Sequence, residues 1–352
     1  MPIETDFSFA QVIPKTADAE ERLVAPVDLL GPLRPMVGPK PTDPEQTAKR
    51  KWKGNGFNLI WRPNFPFESE DKPFGDKQFF LQLNLTDEEL DFTEITGTGI
   101  ANRSLFESTI ALGAIAYTQS IKDSCDQTGQ HFEPGVWAHV PKTTHPKVQS
   151  TVVRMGSIPH GTTINLQGTA TRAKTPMFEP ASITPFFGNK DDGDTHLFSI
   201  REEDLNRCSD SRTERKRLDG LRHHRKPFTP EHLKNPNLFL ADALDKQTVL
   251  STTILSLTSD TTSPGSIPDA GGGTANIASL AGGKTPNGSS NALATVVTTR
   301  FWIERVRGED GTEFEQMQYT QRVLLRFDRL SWPHITVATL RPVSATPRGS
   351  LR

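Results

Sequence analysis

Three histidines lie in stretches that read as β-strand. His131 opens "HFEPGVW", His160 lies in "MGSIPHGTT", and His334 stands near the head of "LSWPHITVATL". Each is flanked by residues of buried type. Neutral imidazole is the commonest protein metal ligand, and burial favours the neutral form by lowering the histidine pKa. A histidine aimed into an apolar cavity is therefore suited to a haem iron, and three together would equally suit zinc. Their spacing does not choose between the two. A single histidine at a strand end is ordinarily a satisfied structural residue, so context must carry the functional reading.

Other chemistry is poorly supported. The stretch "AGGKT" (281–285) has the end of a phosphate-binding loop, but position 278 is Ala where that loop needs Gly, and Pro286 blocks the helix that would hold the phosphate. The chain holds no G-x-S-x-G, no H-E-x-x-H, and no G-x-G-x-x-G between a strand and a helix. Only two cysteines are present, Cys125 and Cys208, outside any C-x-x-C spacing. This argues against a disulfide scaffold or a thiolate cluster and fits the reducing cytoplasm. Forty basic and 42 acidic residues give a formal charge of −2. Neither nucleic acid nor an anionic membrane is an expected partner; a small molecule is. No apolar run approaches the roughly 20 residues that span a bilayer.

The elements that must position the histidines are strands. Residues 1–50 are rich in Pro and charge, and read as an arm in which the apolar patch "VAPVDLLGPL" can dock as one helical turn. From Trp52 onward, period-two runs follow one another at hairpin-like spacing: "GFNLIW", "FFLQLNL", "IAYTQSI", "HFEPGVWAHV", "STVVRMGSI" and "TTINLQGTAT". A second series holds "QTVLSTTILSLTS", "TANIASL", "ATVVTTRFWIERV", "FEQMQYTQRVLLRF" and the closing "LSWPHITVATL", giving about eleven candidates. Several alternate aliphatic residues with Gln, Asn, Thr or Ser. The fold class expected is all-β: a single closed antiparallel barrel of about ten strands over residues 51–342, with an aliphatic outer or core layer and a mixed polar lining around a ligand cavity.

Two stretches interrupt the strands. Residues 172–246 include "REEDLNRCSDSRTERKRLDGLRHHRK", with nine basic and six acidic residues, which reads as a solvated insertion. They also include "FTPEHLKNPNLFLADAL", which reads as helical, with Thr229 before Pro230 as a start signal, and which could serve as a lid or plug for a barrel mouth. Residues 258–292 read as Gly/Ser/Thr-rich loops, and residues 343–352 as a tail.

The ordered stretches "DLLGPLRPMVG", "WKGNGF", "HFEPGVW" and "PHITVATLR" resemble the nitrobindin family, haem-binding barrels of the fatty-acid-binding-protein and lipocalin type. The matches are Trp52, Gly54 and Gly56 in a W-x-G-x-G first strand, and His131, Glu133, Gly135 and Trp137 in an H-x-E-x-G-x-W central strand. This chain departs from the family in a gap between Gly38 and Trp52 and in about twice the usual length, and its last strand aligns to the family's histidine within one residue. The resemblance implies a haem b cofactor with His334 as proximal iron ligand. His131, His160 and Trp137 would lie at the pocket, and Arg62 or Arg154 would pair with propionates. It further implies an open iron position acting on nitrogen oxides, as in peroxynitrite isomerisation, or on peroxide. The alternative is a haem-free carrier or enzyme for a hydrophobic small molecule such as a fatty acid, with "QMQYTQR" lining the cavity.

Overall fold

Alternation along each strand separates two cores, one inside a cylinder and one outside it. In the computed structural model, ten long strands pair antiparallel in a closed circuit. They are β1 (Lys49–Pro63), β2 (Phe79–Glu94), β4 (Ile110–Asp123), β5 (Gly129–Val140), β6 (Thr151–Ile158), β7 (Thr162–Ala173), β9 (Thr248–Thr258), β11 (Leu293–Arg307), β12 (Glu313–Phe327) and β13 (Leu330–Pro342). β13 returns to pair with β1, which removes both sheet edges. Three short strands stand off this circuit: β3 (Ile100–Asn102) on β4, β8 (Phe186–Phe187) on β13, and β10 (Gly273–Asn276) on β7. The structure describes residues 28–43, 46–63, 79–95, 100–102, 110–124, 126–143, 147–158, 161–187, 229–261, 272–281, 291–327 and 330–343. Most of the charged insertion and of the Gly/Ser/Thr-rich loops, Cys125, Cys208 and His160 lie outside these residues.

The outside is aliphatic, and the inside mixes polar with apolar side chains. On β2, Leu81, Leu83 and Leu85 join the outer core, while Gln82, Asn84, Thr86 and Glu88 alternate with them and are buried inside. On β13, Ile335 and Val337 face out; Ala338 and Leu340 face in, with His334 and Thr336 in the same parity. The strands are longer than their apolar runs suggest. β2 continues through "TDEELDFTE", because Leu90 and Phe92 enter the interior core while Glu89 and Asp91 reach Lys51 across the strand pair.

The helical segment takes a different place from a lid. Short helices Pro230–Lys234 and Asn237–Ala243 lie against the outer wall, where Leu233, Phe239 and Leu240 cover Phe57, Leu59, Trp302, Ile335 and Val337. The ring of Phe239 stacks on Phe57 at 3.7 Å between centroids. The outward aliphatic stripe of β1 and β13 supplies the apolar partner that such a segment needs, so it buries there. The plug comes instead from the N-terminal side. A 3-10 turn at Gly31–Leu33 and the single helical turn Arg34–Val37 put Leu30, Leu33, Met36 and Val37 into the interior core, where Trp52 Nε1 donates to the Met36 carbonyl at 2.9 Å. Arg34 holds this segment to the rim through Glu94 of β2 (2.9 Å) and is itself braced within the segment by Asp28 (2.6 Å). Among the described residues, no helix is long and apolar enough to cross a membrane.

Candidate functional site: the barrel interior

From the plugged end upward, the interior changes from apolar to charged and then to open space. Above Trp52, Phe92, Trp137, Phe301 and Leu340 lies a belt of hydrogen-bonded polar side chains contributed by five strands. Arg154 of β6 is its centre, 1 % exposed. Its guanidinium donates to Glu133 Oε1 (2.7 Å), Tyr117 Oη (3.0 Å), Gln321 Oε1 (2.8 Å) and Gln119 Oε1 (3.4 Å). It also lies 5.4 Å from the Trp137 ring and 5.3 Å from the Tyr117 ring, so the apolar floor favours the cation as well. Tyr117 donates its hydroxyl to Glu133. A second branch runs from Gln119 Nε2 to Tyr319 Oη (2.8 Å), and Tyr319 in turn donates to Glu88, which also accepts from Thr86 Oγ1 (2.8 Å).

Two inward glycines make this belt possible. A Cβ on Gly156 would stand 2.5 Å from Glu133 Oε1 and 2.5 Å from Tyr117 Oη, and a Cβ on Gly56 would stand 2.6 Å from Glu88 Oε1. Each buried carboxylate occupies the room left by a missing side chain, which is a packing reason for glycine in a strand interior.

The two carboxylates differ in charge. Burial alone would raise the Glu133 pKa, but the Arg154 charge and hydrogen bonds from His131 and Tyr117 outweigh it and hold the group down at about 2. Among the described residues no cation lies beside Glu88; burial pushes it up to about 7 against the hydrogen bonds of Tyr319, Thr86 and Gln119. Burial likewise raises Tyr117 and Tyr319, so both phenols remain protonated donors.

Above the belt, at the end opposite the plug, is a cavity of about 200 Å³. Its floor includes Tyr319 and Gln321, its walls Ile60, Ile121, Ile158, Val297 and Val323, and its polar groups Asn58, Thr336, His131 and His334. The closing register fixes the orientation of His334: Val323 pairs with it from β12, and Leu59 of β1 pairs with its neighbour Ile335. A slip by one residue would turn it outward. Its Nε2 lies 2.5 Å from Asn58 Oδ1, which also accepts from Thr336 Oγ1 at 3.1 Å. His131 lies 3.2 Å through Nε2 from Glu133 Oε2; because Glu133 is ionised, the imidazole N–H is the donor. On β11 a bulge between Ala294 and Val296 shapes the cavity edge, and Asn276 of β10 clamps it by bonding both the carbonyl (2.9 Å) and the amide (3.0 Å) of Ala294.

The six residues singled out from sequence are distributed unevenly. His131 and His334 share the cavity. Trp137 and Arg154 lie below it, Trp137 in the apolar floor and Arg154 in the belt. Arg62 is at the exposed end of β1 and donates to Gln82 Oε1 at 3.0 Å. His160 lies outside the described residues. Sequence reasoning did not single out Glu88, Gln119 or Asn58. Strand parity was the available signal: Glu88 shares the face of Gln82, Asn84 and Thr86, although it sits within the acidic run Asp87–Glu89. Tyr319 and Gln321, from the stretch expected to line a cavity, do line it, whereas Gln316 and Gln318 face the outer wall.

Fold and site together define a closed ten-stranded antiparallel barrel with a cavity of about 200 Å³ at one end. Neither the family models nor the curated proteins include a match to this chain. Among solved structures, the crystal structure of Rv2717c from M. tuberculosis aligns with 90 % of this chain and 98 % of that chain, at 12 % identity and a TM-score of 0.36.

Proposed function

We propose that the barrel binds a largely apolar ligand in the His131/His334 cavity, and that this ligand is haem b held through His334, for which the cavity of about 200 Å³ must enlarge. The observation that carries the reading is the convergence of two imidazoles, from β5 and β13, on one aliphatic-walled space. Ligation through Nε2 would replace the hydrogen bond from His334 to Asn58. His131, oriented by Glu133, is a second imidazole lining the same cavity. When bound through one histidine, haem supplies an iron with an open position suited to peroxide or nitrogen oxides. Haemin titration of the purified protein tests this: a Soret band should appear with saturation, and His334→Ala should weaken binding by more than about tenfold, or 1.4 kcal/mol. Absence of the band, or a band equally strong in His334→Ala, overturns haem ligation.

The cavity volume favours a second reading. About 200 Å³ is below the roughly 300–1,000 Å³ of typical small-molecule pockets. A haem-free carrier of a smaller apolar molecule, hydrogen-bonded by His334, Asn58 and Tyr319, needs no enlargement. Native mass spectrometry separates the two by the mass retained.

A further inference from the structure

We propose that the ligand of the interior cavity, on the haem-free reading, is an uncharged molecule whose apolar body carries a carbonyl oxygen, and that the side-chain amides of Asn58 and Gln321 hold that oxygen. Both residues line the cavity. Register puts them in one ladder row: Thr336 of β13 pairs with Asn58 on β1 and with Gln321 on β12. Their backbones are thus two strand spacings apart, about 10 Å. An Asn and a Gln side chain reaching inward over Thr336 can meet at one guest atom between them.

What the row offers depends on which end of each amide is already engaged. Gln321, buried in the barrel, accepts from Arg154 through Oε1 at 2.8 Å, and oxygen is the only end of that amide that a guanidinium can bond. Asn58 Oδ1 accepts from Thr336 and His334. The remaining atoms, Gln321 Nε2 and Asn58 Nδ2, have no partner among the described residues, and neither is sealed from open space. Both side chains face inward, so that space is the cavity. Tyr319 in the floor is engaged on both counts, accepting from Gln119 and donating to Glu88. Donors stand open and acceptors are taken, so the complementary head group is an acceptor. A carbonyl oxygen has two lone pairs, one for each amide.

Charge narrows the class further. The described residues lining the cavity include no Lys, Arg, Asp or Glu, and Arg154 beneath the floor is matched by Glu133 at 2.7 Å. A carboxylate would enter without a fixed cation to offset its desolvation, whereas a ketone, ester or amide carries no charge to desolvate. Ile60, Ile121, Ile158, Val297 and Val323 surround the rest of the guest.

The test titrates the full-length protein with acetophenone, with α-methylstyrene, in which a CH2 group replaces the carbonyl oxygen, and with benzoate. Acetophenone should bind about tenfold or more tighter than either of the others. It should also move the side-chain NH2 resonances of Asn58 and Gln321 downfield, which α-methylstyrene should not. Gln321→Met and Asn58→Leu should each cut the preference for ketone over alkene about threefold or more. Should either variant fail to fold, the resonances of the parent protein decide alone. Equal affinity for acetophenone and α-methylstyrene, tighter binding of benzoate, or unmoved amide resonances overturn the carbonyl class and leave a haem-free apolar carrier standing. No binding of any of the three overturns the haem-free reading and the class with it.

Discussion

Glu88 and Glu133 share one interior, yet pH acts on them in opposite senses. Glu133 is held down to about 2 from an ordinary 4.5, so it stabilises the fold above about pH 4.5, and that contribution is lost as pH falls towards 2. Glu88 is pushed up to about 7, so the native state binds its proton more tightly than the unfolded chain does. Its burial is least costly below about pH 4.5, and stability falls as pH rises from there to about 7. Glu88→Gln keeps an acceptor for Tyr319 and removes the ionisation. The variant should lose, between pH 5 and 7, a decline of about 2 kcal/mol that the parent shows in urea unfolding. Part of the decline should persist, because burial also raises Glu304 to about 8. A variant with the full parental slope would show that Glu88 is already ionised in the fold.

At the scale of elements, the segment from Asp28 to Val37 does more than its length suggests. Leu33 and Met36 are fully buried in the interior core, and Trp52 is tied to the Met36 carbonyl. Met36→Ala should cost about 2–5 kcal/mol, the range for a large-to-small change at a buried site, seen as a lower urea midpoint with an unchanged slope. A loss under about 0.5 kcal/mol would mean that the plug is not part of the cooperative unit. This element was only half legible in sequence: "VAPVDLLGPL" announced an apolar patch, but its destination depends on which barrel end offers a cavity rim. The helix pair shows the converse. Its helicity followed from the start signal of Thr229 and Pro230, yet its position depended on the outward stripe of Phe57, Leu59, Ile335 and Val337. The strands were legible because period-two alternation is local. The belt was not, because Arg154, Glu133, Tyr319 and Glu88 come from four strands and meet only after closure. His334 could be flagged, but its inward orientation is a matter of register with β1 and β12.

For the whole molecule, closure through β13 is the decisive event. β13 pairs with β12 and β1 over most of its length, and it carries His334 with it. Removing residues 330–352 would expose two long unpaired edges flanked by aliphatic outer surface, a template for intermolecular pairing. The truncated chain should elute as aggregate in size-exclusion chromatography, whereas removal of 344–352 alone should leave the elution of the parent. A discrete, folded species after the longer truncation would show that nine strands suffice.

The plug at one end and the cavity at the other make the interior a blind tube. Among the described residues the plug closes one end, so a guest in the cavity would arrive and depart at the other, and two guests cannot exchange by pushing through. Replacement of one occupant by another therefore waits for the first to leave, and the rate of exchange is set by departure alone, however concentrated the newcomer.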